Sequence, residues 1–219
     1  MESLTAESDQ LAEFTSVHNI ANELETLVRA VNNRPELVVY EHALQEFQFS
    51  LYAAAGGSYR HAHISLRLCF ELFSAGVLFS AHEIKLRNWL SGAENSDVNW
   101  GQITHPETGI FSTFFVRSFN SELSSSAKQY QVVALKVYRE CSEFVHGNVQ
   151  THGSIGRPIE YNADLLRGWA DRVKAARICI IFAFAGRYLA LLENTRRNQI
   201  ESIMTENLGH LPAVRAAYS

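Results

Sequence analysis

The sequence predicts an all-α protein, a bundle of long helices built as a single domain over residues 1–219. Three observations carry this. Apolar residues recur at steps of three and four along most of the chain, the spacing that lines one side of a helix. Four prolines and twelve glycines in 219 residues favour long regular elements over short ones. No convincing strand pattern, internal repeat or low-complexity tract interrupts them.

The elements follow in order. An N-terminal helix over about 9–33 carries Leu11, Phe14, Val17, Ile20, Leu24, Leu27, Val28 and Val31 on one side. Pro35 opens a second helix at its first position, running through Phe47 and Leu51 to Ala55, where Gly56-Gly57 ends it. Ser58 is the expected cap of a third, very apolar helix from Tyr59 to about Leu90. Residues 91–109 read as a loop anchored by Trp100. Ile110 to Leu123 read as a short aromatic helix whose Phe111, Phe114, Phe115 and Phe119 serve as core or as a platform for stacking bases. Ser124-Ser125-Ser126 precede the next helix as caps. Residues 147–161 form a second loop, a long helix spans about 162–194, and a tail helix lies before Gly209.

Charge is unevenly distributed. Residues 1–50 hold nine acids and two bases (−7), and residues 157–219 hold nine bases and six acids (+3). An acidic front and a basic rear suggest that the two ends pack together. Arg167, Arg172, Lys174, Arg177, Arg196 and Arg197 read as solvated helix faces or as a track for RNA. Cys69, Cys141 and Cys179 are isolated in apolar helical surroundings, as expected of reduced, buried thiols. The N-terminus lacks the apolar core of a signal peptide. The Ile178–Gly186 run, ended by Arg187, is too short for a membrane span. A cytoplasmic protein is expected, with no membrane partner.

The most informative stretch is Tyr138-Arg139-Glu140-Cys141-Ser142-Glu143-Phe144-Val145-His146-Gly147. Seven helical steps return a residue to within about 20° of its start. Arg139 and His146 therefore share a face, with Ser142 and Glu143 between them. The opposite face carries Tyr130, Val133, Val137, Cys141 and Phe144, which points to a core. A fixed cation and a group that titrates near neutrality suit phosphodiester chemistry without a metal. Spacing alone also fits a solvated face, or a histidine resting on the helix dipole.

Arg67, Glu71 and Ser74 form a polar stripe inside the apolar third helix. It reads either as an internal ion pair or as a support facing the Arg139–His146 helix and orienting His146. His61 and His63 cannot share a helix face and have no further ligand at metal spacing. Neither a metal site nor a cofactor is expected. Asn148 and His152 follow the motif and either line the same cleft or cap the helix end.

With the surrounding pattern included, the chain resembles the HEPN superfamily (higher eukaryotes and prokaryotes nucleotide-binding). These all-α domains carry an Arg, four to six residues, then a His near the end of a late helix. Six residues intervene here. Val137 to Asn148 is similar to the Arg-to-His helix of stand-alone prokaryotic members of ribonuclease or toxin type. Leu66-Arg67-Leu68-Cys69-Phe70-Glu71-Leu72-Phe73 is similar to the second core helix of that bundle. The resemblance covers about residues 40–195. The family often has Asn or Asp directly after the Arg, where this chain has Glu140.

The resemblance implies a metal-independent endoribonuclease, a toxin or antiviral-defence effector. RNA would be its substrate, and an antitoxin or defence-system protein a further partner. It implies that His146 acts as acid or base in attack by the ribose 2′-hydroxyl, and that Arg139 stabilises the charged phosphorane. Because active HEPN clefts form between two protomers, it also implies a homodimer. Ser142, Glu143, Asn148, Arg67 and Glu71 would support the pair or bind substrate. The alternative is a catalytically inactive HEPN-like module that binds a nucleotide or a partner protein.

Overall fold

Apolar spacing becomes helix almost everywhere it occurs. The computed structural model describes residues 8–146 and 159–218, with 149 and 153 between them, and no strand lies among these. Helix α1 spans Ser8–Ala30, α2 Leu37–Ala55, α3 Tyr59–Phe79 and α4 Glu83–Leu90. The single turn α5 (Trp100–Ile103) and the short α6 (Thr113–Phe119) lead into a 3-10 turn at Ser121–Ser126. Then come α7 (Ala127–Ser142), the long α8 (Ala163–Tyr188), and the tail helices α9 (Asn194–Gln199), α10 (Glu201–Leu208) and α11 (Pro212–Ala217).

Two helices form the centre. From Cys69 to Phe79 every residue of α3 is buried, and so is every residue of α8 from Cys179 to Gly186. By length and composition α3 would cross a membrane, but here it is the core helix of the bundle. The other helices bury one stripe each. In α1 that stripe includes Val17, Ile20, Leu24, Leu27 and Val28, as the spacing predicts. α2 folds back on α3 through Gly57, whose φ of +77° suits a residue without Cβ. Ser58 N donates to Ala53 O and Gly57 N to Ala54 O, a Schellman ending that satisfies the last carbonyls of α2. A polar link ties three helices together: Trp169 Nε1 donates to Ser50 Oγ, and Ser50 Oγ donates to Ala62 O.

The acidic front meets the basic rear. Arg177 grips Glu23 with both nitrogens at 2.6 Å, and Lys174 lies 3.1 Å from Glu13. Arg196 donates to Ala30 O and to Asn33.

Several boundaries differ from the spacing. Pro35 sits in the turn before α2, which begins at Leu37. The third helix stops at Phe79 and restarts at Glu83. At the break Ser80 Oγ bonds Val77 O, while Arg187 donates to both Ser80 Oγ and Ser80 O. The side chain of Arg187 thus takes up the Ser80 carbonyl freed by the break and holds the Ser80 hydroxyl beside it. The long helix α8 ends at Tyr188, and Leu191 N and Leu192 N both fold back onto Tyr188 O. Ser58 occupies the cap position of α3, but its hydroxyl contacts His61 Nδ1 at 2.9 Å. The serines before α7 form the 3-10 turn and make no side-chain cap. Of the aromatic helix, Phe111 and Phe115 enter the core, Phe119 packs beneath the Arg187 guanidinium, and Phe114 is exposed.

Tyr188 belongs to a buried polar cluster at one end of the bundle. Glu36 is fully buried and accepts from Tyr188 Oη and from Arg34 Nε, each at 2.6 Å. Tyr40 Oη lies 2.9 Å from Tyr188 Oη. Removing Glu36 leaves the buried Tyr188 hydroxyl without its acceptor, while Arg34, about a quarter exposed, can turn to water. Glu36→Ala should therefore cost about 1–3 kcal/mol in chemical denaturation, more than an exposed pair such as Arg87–Glu83 is worth.

Candidate functional site

The motif begins on α7 and ends just beyond it. α7 buries Ala127, Tyr130, Ala134, Val137 and Cys141, with Phe144 continuing the stripe past its end. Helical geometry stops at Ser142, four residues short of the expected end. The winding continues as a turn: Phe144 N bonds Cys141 O, and Val145 N and His146 N both bond Ser142 O. Arg139 and His146 are thus carried by the last turns of one winding segment. Arg139, Glu143 and His146 are all exposed, and none makes a side-chain hydrogen bond or ion pair with another described residue. The N-terminal helix packs on α2, α8 and α9 and leaves them uncovered.

The motif segment is held from below by α3. Arg60, His63, Arg67 and Glu71 follow one another at steps of three and four, and each reaches the α7 segment. Arg60 Nε donates to Phe144 O at 3.1 Å. His63 stacks on the Phe144 ring at 3.8 Å between centroids, 10° from parallel. Arg67 Nε donates to Ser142 Oγ at 3.0 Å, and its terminal nitrogen donates to Tyr138 Oη. Tyr138 Oη in turn donates to Glu71 Oε1, and Glu71 lies 3.5 Å from Arg67. Ser142 Oγ donates to Tyr138 O at 2.7 Å.

The result is a closed ring of polar groups. The internal pair of the α3 stripe is present in it, and Arg67 also bonds α7. It touches Ser142 and Tyr138, not His146. Its route to His146 is through Ser142, whose carbonyl receives the His146 amide. Burial raises the Glu71 carboxyl, and Arg67 followed by the Tyr138 bond opposes that rise. Ser74, fully within the core, takes no part in these contacts.

Tyr138 is fixed on its other side by Trp100, stacked at 4.0 Å and 6° from parallel. Trp100 also packs against Phe70, so it anchors the loop as its sequence position suggests. Glu140, directly after Arg139, lies 3.2 Å from Arg172 Nε and 3.8 Å from Lys136. It is engaged away from Arg139.

Asn148 lies outside the described residues, as do His152 and Gly147. The proposed basic track is largely spent on structure. Arg172 bonds Gly168 O and pairs with Glu140, while Lys174, Arg177 and Arg196 hold the N-terminal helix and its following turn. Arg167 pairs with Asp164, and Arg197 donates to Leu192 O. His61 and His63 are separated, one on Ser58 and the other buried beneath Phe144.

Arg60, His63 and Tyr138 were not singled out for the site from the sequence. For the two α3 residues a positional signal was present: Arg60, His63, Arg67 and Glu71 make a polar stripe at helical spacing; nothing local marks Tyr138. Comparison with family models, with curated proteins and with solved structures finds no match to this chain.

His63 gives the site a pH signature. Burial lowers its pKa from 6.5 to about 4; nearby Arg172 adds to this, and the Nδ1–H bond to Tyr59 O opposes it. Above 6.5 both folded and unfolded chains carry a neutral ring. Below it the unfolded chain takes up a proton that the folded chain refuses until about 4. Stability is therefore lost as pH falls through this window, by about 3 kcal/mol from this group. Denaturation of wild type and His63→Phe at pH 7.5 and pH 4 should show the variant losing less by about that amount.

Proposed function

We propose that this chain is a HEPN-like, metal-independent endoribonuclease, a toxin or antiviral-defence effector that acts as a homodimer in the cytoplasm. One observation supports this reading above the rest. Arg139 and His146 stand exposed at the end of a winding segment whose other side is gripped by Arg60, His63 and Arg67. The support fixes the backbone that carries the pair, and catalysis needs its groups presented from a backbone held in place before substrate arrives.

In this reading RNA lies across the end of α7. His146 removes the proton from the ribose 2′-hydroxyl, whose oxygen attacks the adjacent phosphorus. The bond to the 5′-oxygen breaks, leaving a 2′,3′-cyclic phosphate and a 5′-hydroxyl. The same imidazole, or that of a second protomer, returns a proton to the leaving oxygen. Arg139 supplies a charged planar fork to the phosphorane oxygens. Ser142 shapes the turn carrying His146, Arg67 and Glu71 hold Ser142 and Tyr138, and Glu143 sits exposed beside the pair. With Glu140 committed to Arg172 and Lys136, its charge is partly neutralised beside Arg139.

The outer face of α7 supports the dimer. Val132 and Leu135 are 61% and 44% exposed. With Arg139 they share a face at i, i+3 and i+7. An isologous contact on this face would cover both apolar residues and bring two Arg139–His146 pairs together. An antitoxin or defence-system protein would compete for the same surface.

The purified chain should cut tRNA or total RNA in EDTA and leave cyclic-phosphate ends. His146→Ala and Arg139→Ala should each lower the rate by about 10²–10⁴-fold with unchanged melting. Light scattering of the same samples should give the mass of a dimer. If His146→Ala melts early or cuts as well as wild type, His146 is structural and the enzyme reading fails.

A further inference from the structure

On another part of the surface, α4, α5 and the loop after α5 border a groove of about 520 Å³. Its polar lining comes from His82, Lys85, Asn99, Gln102, His105 and Thr108, over an apolar floor at Leu78. No acid lines it among the described residues. Glu83, beside His82 in sequence, is turned to Arg87 at 2.6 Å.

The internal hydrogen bonds of this groove use up acceptors and leave donors. Asn99 Oδ1 accepts from Gln102 N at 3.2 Å, which leaves the Asn99 amide nitrogen. Gln102 Oε1 accepts from Lys85 Nζ at 2.8 Å, leaving the Gln102 amide nitrogen and two Lys85 N–H bonds. His105 Nδ1 receives the backbone N–H groups of Glu107 and Thr108 at 3.3 and 3.2 Å. Those donors fix the tautomer, so the ring proton lies on Nε2. Four side chains that line the groove, one of them a cation, therefore keep unspent N–H groups.

The arrangement is preformed. The His105 loop is closed by Gly109 N on His105 O and Ile110 N on Ile103 O, each at 2.9 Å. A Cβ at Gly109 would run into the backbone of Ile103 and His105, so the loop closes only around glycine. Next to the groove lies a more enclosed cavity of about 130 Å³, sharing Leu78, Lys85, Asn99 and Gln102 with it. Phe79, Val98 and Ile103 give that cavity apolar walls, and Asn88 and Ser96 add polar atoms. Its size matches cavities that admit one six-membered ring.

We propose that this groove binds a small phosphomonoester, with the phosphate against Lys85, Asn99, Gln102 and His105 and the ring or apolar body in the adjoining cavity. A phosphate offers several acceptor oxygens and negative charge, the complement of a donor-rich wall. A neutral apolar ligand would leave those donors unmatched. Asp97, exposed at the cavity rather than the groove, keeps a second negative charge off the body of the ligand.

Calorimetric titration of the full chain tests this with inorganic phosphate, phenyl phosphate, phenol, and an RNA oligonucleotide lacking terminal phosphates. Phenyl phosphate should bind saturably and at least about tenfold more tightly than inorganic phosphate or phenol. Gln102→Glu keeps the shape and the Lys85 contact but places a negative charge on the wall. It should weaken phenyl phosphate at least about tenfold with unchanged melting. Phenol binding as tightly as phenyl phosphate, or a Gln102→Glu chain binding as well as wild type, would overturn the proposal. Binding of the oligonucleotide with no binding of phenyl phosphate would overturn it too.

Discussion

Everything at the motif end depends on one constraint: α3 is so deeply buried that its polar residues must be matched by α7. Arg67 keeps about a quarter of its side chain exposed, and Glu71 about a tenth. A carboxylate and a guanidinium so placed are costly unless paired and hydrogen-bonded. Tyr138 and Ser142 complete that pairing. They occupy adjacent turns of α7, so only one register of α7 against α3 brings both to Arg67. The same register brings Phe144 onto His63 and its carbonyl onto Arg60. Fixing those residues leaves Arg139 and His146 to the outside.

That relation explains why the helix can end early without losing the motif. Beyond Ser142 the backbone is no longer α-helical, yet Arg60 and His63 hold Phe144, and the His146 amide is bonded to Ser142. Side chains from α3 replace the packing that a longer helix would have supplied. The rest of the bundle supports α3 in turn. α2 is fastened to it by the Gly57 ending and Ser50, and α8 packs along it with Trp169 bonded to Ser50.

Much of the fold was legible in the sequence because apolar spacing decides most of the buried positions. Val17, Leu24, Val137 and Cys141 went where the period placed them, Trp100 anchored its loop, and the charge asymmetry anticipated Glu23 on Arg177. Helix ends were less legible, since they were set by distant side chains. The break at Ser80 depends on Arg187, more than a hundred residues away. The end of α8 lies at the buried Glu36–Tyr40–Tyr188 cluster, which no local pattern reveals. In the site, the exposure of Arg139 agrees with its place on the outer side of α7, while His146 lies beyond the end of the helix on which the spacing placed it; the Arg67–Glu71 pair followed from the polarity of its stripe. The parts played by Tyr138 and His63 did not, because each depends on what a neighbouring helix places against it.

The clamp is tested most directly by amide hydrogen exchange, read residue by residue in wild type and in Arg67→Met. Loss of the Arg67 contacts to Ser142 and Tyr138 should speed exchange at Phe144, Val145 and His146 by about tenfold or more. Protection in α8 from Ile181 to Ala185 should stay unchanged, since the core there is apolar and does not contact Arg67 through hydrogen bonds. Unchanged exchange at Phe144–His146, or a uniform rise across α8 as well, would contradict the claim that Arg67 locally holds the motif end.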